Sequence, residues 1–209
     1  GTVSSTARTY TATTRFGGLC AMAIGENGTS VTGEALSPFI AYRCSVKVTY
    51  TFTPTKCTVD SNWSGIATIA RNVHVSVVDC YVKMNGKAKF ITDGAYIHTA
   101  GALVSVNTNG NILVQNFVSE MSLDMTGCTR TVEGATGITS SVISVTGNSL
   151  DLNTKSITIN NIYAYAECID TVGKGGYTLI PVLAFSSAYA PENATFYNRI
   201  SKSYTDYYY

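Results

Sequence analysis

Hydrophobic and polar residues alternate with a period of two along most of the chain. Cys44, Val46, Val48, Tyr50 and Phe52 alternate with Ser45, Lys47, Thr49, Thr51 and Thr53. That pattern predicts a half-buried strand with one wet face. Val73, Val75 and Val77 alternate with His74 and Ser76, and the phase then slips at Val77–Val78, which predicts a β-bulge. Beyond it Val78, Cys80, Val82 and Met84 carry the inward face onward. Further strands are expected at Ala102–Val106, Ile112–Val118, Ile138–Thr146, Leu150–Lys155, Ile157–Cys168 and Tyr177–Ala184. Pro181 places the last of these at an edge or a bulge, because proline cannot donate to a ladder.

The turns follow from local chemistry. Asn85-Gly86 is the strongest hairpin signal, since a type I′ turn needs φ > 0 at both central residues. Asn107–Gly110 and Gly147–Ser149 mark two more expected hairpins. Apolar spacing of the helical kind is nearly absent, and only Ala35–Ala41 and Pro191–Asn198 leave room for a single helical turn. No internal repeat is visible. Short strands with frequent turn signals predict an all-β fold, an antiparallel β-sandwich of Ig-like, pilin-like or jelly-roll type.

The first 14 residues differ from the rest. Val3, Ser5, Ala7, Thr9, Thr11 and Thr13 occupy every other position, so the segment favours an extended backbone but offers little to a core. Residues 1–14 are therefore read as an extended tail and residues 15–209 as the β domain. A free strand of this kind exposes unpaired backbone groups. Its expected use is β-augmentation of a neighbour, which it is long enough to cross at about 3.3 Å per residue.

Composition narrows the class. Of 209 residues only 13% are charged, with a net charge of +1, while Thr numbers 29, Ser 20 and Tyr 14. A nearly neutral chain is not an electrostatic nucleic-acid binder. No apolar run reaches the length of a membrane-spanning helix. Cys20, Cys44, Cys57, Cys80, Cys128 and Cys168 show no C-x-x-C spacing. They read as up to three disulfides of open pairing, in an oxidising compartment. The sequons at Asn27, Asn62 and Asn193 agree with export and N-linked glycans. The chain starts at Gly1 without an initiator Met, as expected if a secretion leader has been removed.

Candidate chemistry is sparse. His74 and His98 lack a G-x-S-x-G partner motif. Asp79, Glu120, Asp124 and Glu133 are the acids that a glycosidase-like pair would draw on. Lys47 and Asn116 stand near apolar strands as an isopeptide candidate. Gly173-Lys174-Gly175-Gly176 reads as a loop rather than a phosphate cradle. Trp63 suits either a place beneath a sugar on Asn62 or a core position. The expectation is a non-enzyme without catalytic, cofactor or metal residues.

The Thr/Ser tail, the β domain from about Phe16, the three sequons and the low charge together resemble the thread-type extracellular filaments of thermoacidophilic archaea. In plan they are also similar to bacterial chaperone–usher pilins. The resemblance implies a head-to-tail homopolymer on the cell surface, serving adhesion or biofilm formation. Its joint is donor-strand complementation, with Thr2, Val3, Ser5, Ala7, Thr9, Tyr10 and Thr11 as the donor strand. The alternative is a secreted β-sandwich binding module, such as a lectin-like adhesin or a viral coat or spike protein.

Overall fold

The computed structural model describes residues 2–6, 9–10, 14–24, 36–54, 56–57, 61–89, 91–92, 97–104, 106–107, 110–127, 129–130, 136–139, 143–145, 156–170, 177–179, 183–185 and 194–207. All regular structure among them is β. The all-β expectation therefore holds. The expected antiparallel pairing does not, because every described ladder is parallel.

The strands follow one another in turns of a solenoid. The first turn holds β1 (Thr2–Thr6), β2 (Thr9–Tyr10), β3 (Thr14–Gly17) and β4 (Cys20–Ile24). The second holds β5 (Pro38–Tyr42), β6 (Ser45–Thr53), β7 (Lys56–Cys57) and β8 (Ser61–Arg71). The third holds β9 (His74–Ala88), β10 (Ile91–Thr92), β11 (Ile97–Val104) and β12 (Val106–Asn107). The fourth holds β13 (Asn111–Asp124), β14 (Thr129–Arg130), β15 (Thr136–Thr139) and β16 (Ile143–Val145). Then come β17 (Ser156–Asp170), β18 (Tyr177–Leu179), β19 (Leu183–Phe185) and finally β20 (Ala194–Tyr207).

The first four turns pass through the same three sheets, and β17 to β20 continue two of them. The main sheet runs β1-β6-β9-β13-β17-β20, with β5 also on β9. A narrow sheet runs β14-β10-β7-β2, and a third gathers β3, β4, β8, β11, β12, β15, β16, β18 and β19. Parallel neighbours need long crossovers, and here each crossover is the rest of one turn. The architecture is thus a parallel β-solenoid, a repeat that the sequence analysis did not find.

The N-terminal segment belongs to it. Thr2–Thr6 pairs with Thr49–Thr53 of the same chain, Thr9–Tyr10 with Lys56–Cys57, and Thr14–Gly17 with Ser61–Ser64. Ala7 and Thr11 lie outside the described residues.

The expected hairpin at Asn85-Gly86 is absent. β9 runs straight through both residues. Gly86 faces inward, and a Cβ there would run into the Trp63 ring and come within 2.7 Å of Leu123 Cδ2. Its glycine makes room for an aromatic ring, not for a turn. Asn107–Gly110 makes no hairpin either, because β12 pairs with β8 while β13 pairs with β9 and β17. Gly147–Ser149 lies outside the described residues. Of the two segments left open for a helical turn, Pro38–Tyr42 is strand, and so is the chain from Ala194.

Side chains stack turn upon turn. Val46 and Val82 lie inward beside Ser119 and Ala164, and Val48 and Met84 beside Met121 and Ala166. Trp63, Tyr50 and Phe52 are fully buried, and Phe16 packs against all three with ring centroids 5.6–6.2 Å away. The Tyr50 hydroxyl donates to the Ser64 carbonyl at 2.6 Å, and burial pushes its phenol well above the ordinary range.

Candidate functional site

The main sheet carries the feature that organises its outer surface. From the second turn on, the main-sheet stretch of each successive turn carries a residue in the left-handed region: Arg43 at φ 53°, Asp79 at 53°, Asn116 at 48° and Asn161 at 53°; Asn72, at 50°, lies apart from this row between β8 and β9. The register stacks these residues directly above one another, and puts Asn198 of β20 at the next level. A left-handed residue within a strand bends it and resets the in/out phase. The phase slip expected at Val77–Val78 is present, at Val78–Asp79, but it is not the expected β-bulge: the register stays one to one on both sides, because the neighbouring strands bend at the same level. Asn and Asp tolerate the conformation better than other residues with a Cβ.

Their side chains form a ladder. Asn161 Nδ2 donates to Asn116 Oδ1 at 2.8 Å, and Asn116 Nδ2 donates to Asp79 Oδ1 at 2.7 Å. Arg43 Nε lies 3.7 Å from Asp79 Oδ2 and ends the run. The Asn116 amide both gives and receives, so the two bonds polarise one another along the solenoid axis.

Beyond this corner the outward positions form rows. One holds Ser45, Tyr81, Val118 and Tyr163; the next holds Lys47, Lys83, Glu120 and Tyr165. Lys83 Nζ meets Glu120 at 3.2 Å, which raises the Lys83 pKa. Lys87 meets Asp124 at 3.2 Å. The Asp124 carboxyl is held below its usual range, chiefly by the Thr126 hydroxyl at 2.6 Å, with the Thr126 N–H and Lys87 adding to it. Ser122 Oγ donates to Glu167 at 3.2 Å. Burial and then Glu120 raise the Tyr81 phenol, and burial and then Glu167 raise that of Tyr165. Tyr163 and Val118 are exposed, and on the other side of the corner so are Tyr42 and Ile40. The result is a sheet face of hydroxyls, rings and paired charges.

Three of the four candidate acids lie on this face. Asp79 serves the ladder, while Glu120 and Asp124 pair with lysines. Glu120 and Asp124 lie four positions apart on one strand, roughly 13 Å at about 3.3 Å per residue, beyond the reach of a cooperating carboxylate pair. Glu133 lies outside the described residues. His74 Nδ1 accepts the Asn111 backbone N–H at 3.1 Å and so joins two turns. Nothing can be placed for the His98 side chain, which lies outside the described ones. Lys47 stands over the Tyr81 ring at 5.8 Å, while Asn116 is bonded into the ladder two turns away, so the isopeptide pair is not brought together. Among the described residues no cluster of His, Cys, Asp and Glu has the makings of a metal site. No helix among them is long and apolar enough to cross a membrane.

Trp63 takes the core position. Its Nε1 donates to Ser61 Oγ at 2.8 Å. Asn62 beside it is only 5% exposed, and its Oδ1 has no hydrogen-bond partner. A glycan on Asn62 therefore requires the side chain to leave this position. Asn27, Asn193 and the Gly173–Gly176 segment lie outside the described residues. Cys20, Cys44 and Cys80 are unbridged in this structure; the side chains of Cys57, Cys128 and Cys168 lie outside the described ones.

Sequence reasoning did not find the ladder. Its signal was a polar Asp or Asn interrupting each long strand, at Asp79, Asn116, Asn161 and Asn198. No protein-family model, curated protein or solved structure matches this chain.

Proposed function

We propose that the chain is a structural subunit of an extracellular surface filament, built head to tail and used for adhesion or community formation. The observation that supports this reading is the main sheet, a parallel ladder that runs the length of the described structure. Among the described residues β1 pairs on one side only, with β6, and β20 on one side only, with β17. Such edges pair with a further copy through main-chain hydrogen bonds. Contact between the two unlike ends is heterologous and does not close on itself, so it grows into a fibre.

The N-terminal strand has two ways of making the joint. Thr2–Thr6 can exchange onto β6 of a neighbour in place of its own, a swap of identical elements. It can also stay in place and present its outer edge to β20 of the next copy. Either way the joint runs through β1. Low charge suits the polymer, because few carboxylates have to stay ionised for it to hold.

Electron microscopy of the native material tests this reading. Six stacked levels at about 4.8 Å predict an axial rise near 29 Å per subunit for end-to-end stacking. Protein lacking residues 1–14 is expected to stay monomeric; long fibres from it would overturn the role of β1. A second reading, a secreted module that binds through its surface, draws on the exposed Tyr42, Val118 and Tyr163. Discrete particles that bind a cell-surface glycan would favour it.

A further inference from the structure

Two cysteines occupy one point of the inner wall. Cys80 follows the left-handed Asp79, and Cys44 follows the left-handed Arg43. Ser45 pairs with Tyr81, so Cys44 and Cys80 are direct neighbours across adjacent parallel strands. The Tyr81 N–H donates to the Cys44 carbonyl at 2.9 Å, which pins that register. Strands this close set paired Cα atoms about 4.8 Å apart, inside the span a disulfide bridges. The left-handed residue before each cysteine resets both side chains to the same, inward face. The Cys44 N–H reaches the Cys80 Sγ at 3.4 Å. Their other partners are weak: Cys44 Sγ contacts the Tyr42 carbonyl at 3.4 Å, and Cys80 Sγ the Ala41 and Val78 carbonyls at 3.4 and 3.2 Å.

We propose that Cys44 and Cys80 form a disulfide that staples the second turn of the solenoid to the third. This selects one bond from the 15 pairings that six cysteines allow. Cys44 is the half-exposed member and Cys80 is 4% exposed, which sets the order of events. The oxidant is a disulfide, either a small-molecule one or that of a thiol–disulfide oxidoreductase. The Cys44 thiolate attacks it, forms a mixed disulfide and expels one thiol. Cys80 then gives up its proton and attacks the Cys44 sulfur. The Cys44–Cys80 bond forms and the second thiol leaves. Two protein thiols are oxidised and one disulfide is reduced to two thiols. The bond closes a loop of 36 positions, from which an unfolded chain gains constraint and the folded one loses little.

The proposal does not depend on filament formation, so its test uses the full-length chain in a glutathione redox buffer. Trypsin cuts after Arg43, Lys47, Arg71 and Lys83, and isolates Cys44 and Cys80 in separate peptides, each with one cysteine. Digestion under non-reducing conditions is expected to yield the 44–47 and 72–83 peptides joined and two hydrogens lighter than their sum. Reduction should separate them and lower the melting temperature by several degrees. Cys44→Ser should lose most of that redox-dependent shift. If both cysteines in the folded, oxidised protein still take up an alkylating reagent, the staple does not form. Finding either one joined to Cys20 or to another cysteine would equally overturn it. The peptide map decides the matter even if Cys44→Ser fails to fold.

Discussion

β9 and β8 are consecutive strands that obey opposite rules. From Val73 to Ala88 burial alternates residue by residue, with one slip at Val78–Asp79. From Ser61 to Thr68 every residue is buried, including Ser61, Asn62, Ser64 and Thr68. One face of β9 is wet, and the solvent imposes its signature on the sequence. β8 is buried at every one of these positions, and its buried hydroxyls and indole N–H are satisfied locally, while Asn62 Oδ1 is not. Trp63 Nε1 bonds Ser61, and Ser64 and Thr68 bond each other and the Phe16 carbonyl. The difference teaches that alternation reports water, not strandedness, and that a dry strand can be written largely in small polar residues.

The largest effect expected from pressing on this contrast comes from Trp63→Ala. It removes the ring shared by β8, Phe16 and β9, and should cost about 3–5 kcal/mol in denaturant unfolding. A loss under 1 kcal/mol would mean that the two strands do not share a core. Gly86→Ala tests the same contact from the wet-faced strand. Overpacking against Trp63 should cost about 1–3 kcal/mol. A hairpin turn at Asn85-Gly86 would instead be weakened by Asn85→Ala as much as by Gly86→Ala. The ladder comes next. Asn116→Ala puts a Cβ without a local hydrogen bond into the left-handed region, at about 1–2 kcal/mol. Asn116→Gly should recover most of the backbone share but not the amide bonds. Equal losses in the two variants would place the whole effect in the ladder.

The smallest effect concerns acid. The Asp124 carboxyl is depressed in the folded state, so its contribution is complete above the unfolded value and fades as pH falls through the folded one. Asp124→Asn should therefore lower stability slightly at neutral pH, leave it nearly unchanged where the carboxyl is already protonated, and so flatten the acid limb below about pH 4. Acid unfolding that is unaltered by the substitution would separate Asp124 from that limb.

How much of this was legible follows from what each residue senses. The inward faces of Val46–Phe52 and Val75–Met84 were readable because burial has a period of two in any sheet. Pairing direction was not, since parallel and antiparallel strands with one wet face alternate alike. Asn85-Gly86 misled because a Gly that clears space for an indole is spelled the same as a Gly that turns the chain. The slip at Val77–Val78 was visible, but its recurrence at Asn116 and Asn161 was not, because the turns of the solenoid differ in length and share only one class of residue. β8 was hardest, for it lacks the apolar run expected of a buried strand.

The row of left-handed residues also bears on how such a molecule is made. Asp79, Asn116 and Asn161 each meet a polar side chain of the turn before at this corner, and in a solenoid each turn contacts chiefly its neighbours. A chain delivered from its N-terminus can therefore build itself one storey at a time, without waiting for residues still to arrive. Every storey completed also resists being drawn back. The staircase of Arg43, Asp79, Asn116 and Asn161 thus has the character of a ratchet, with its pawl at the corner.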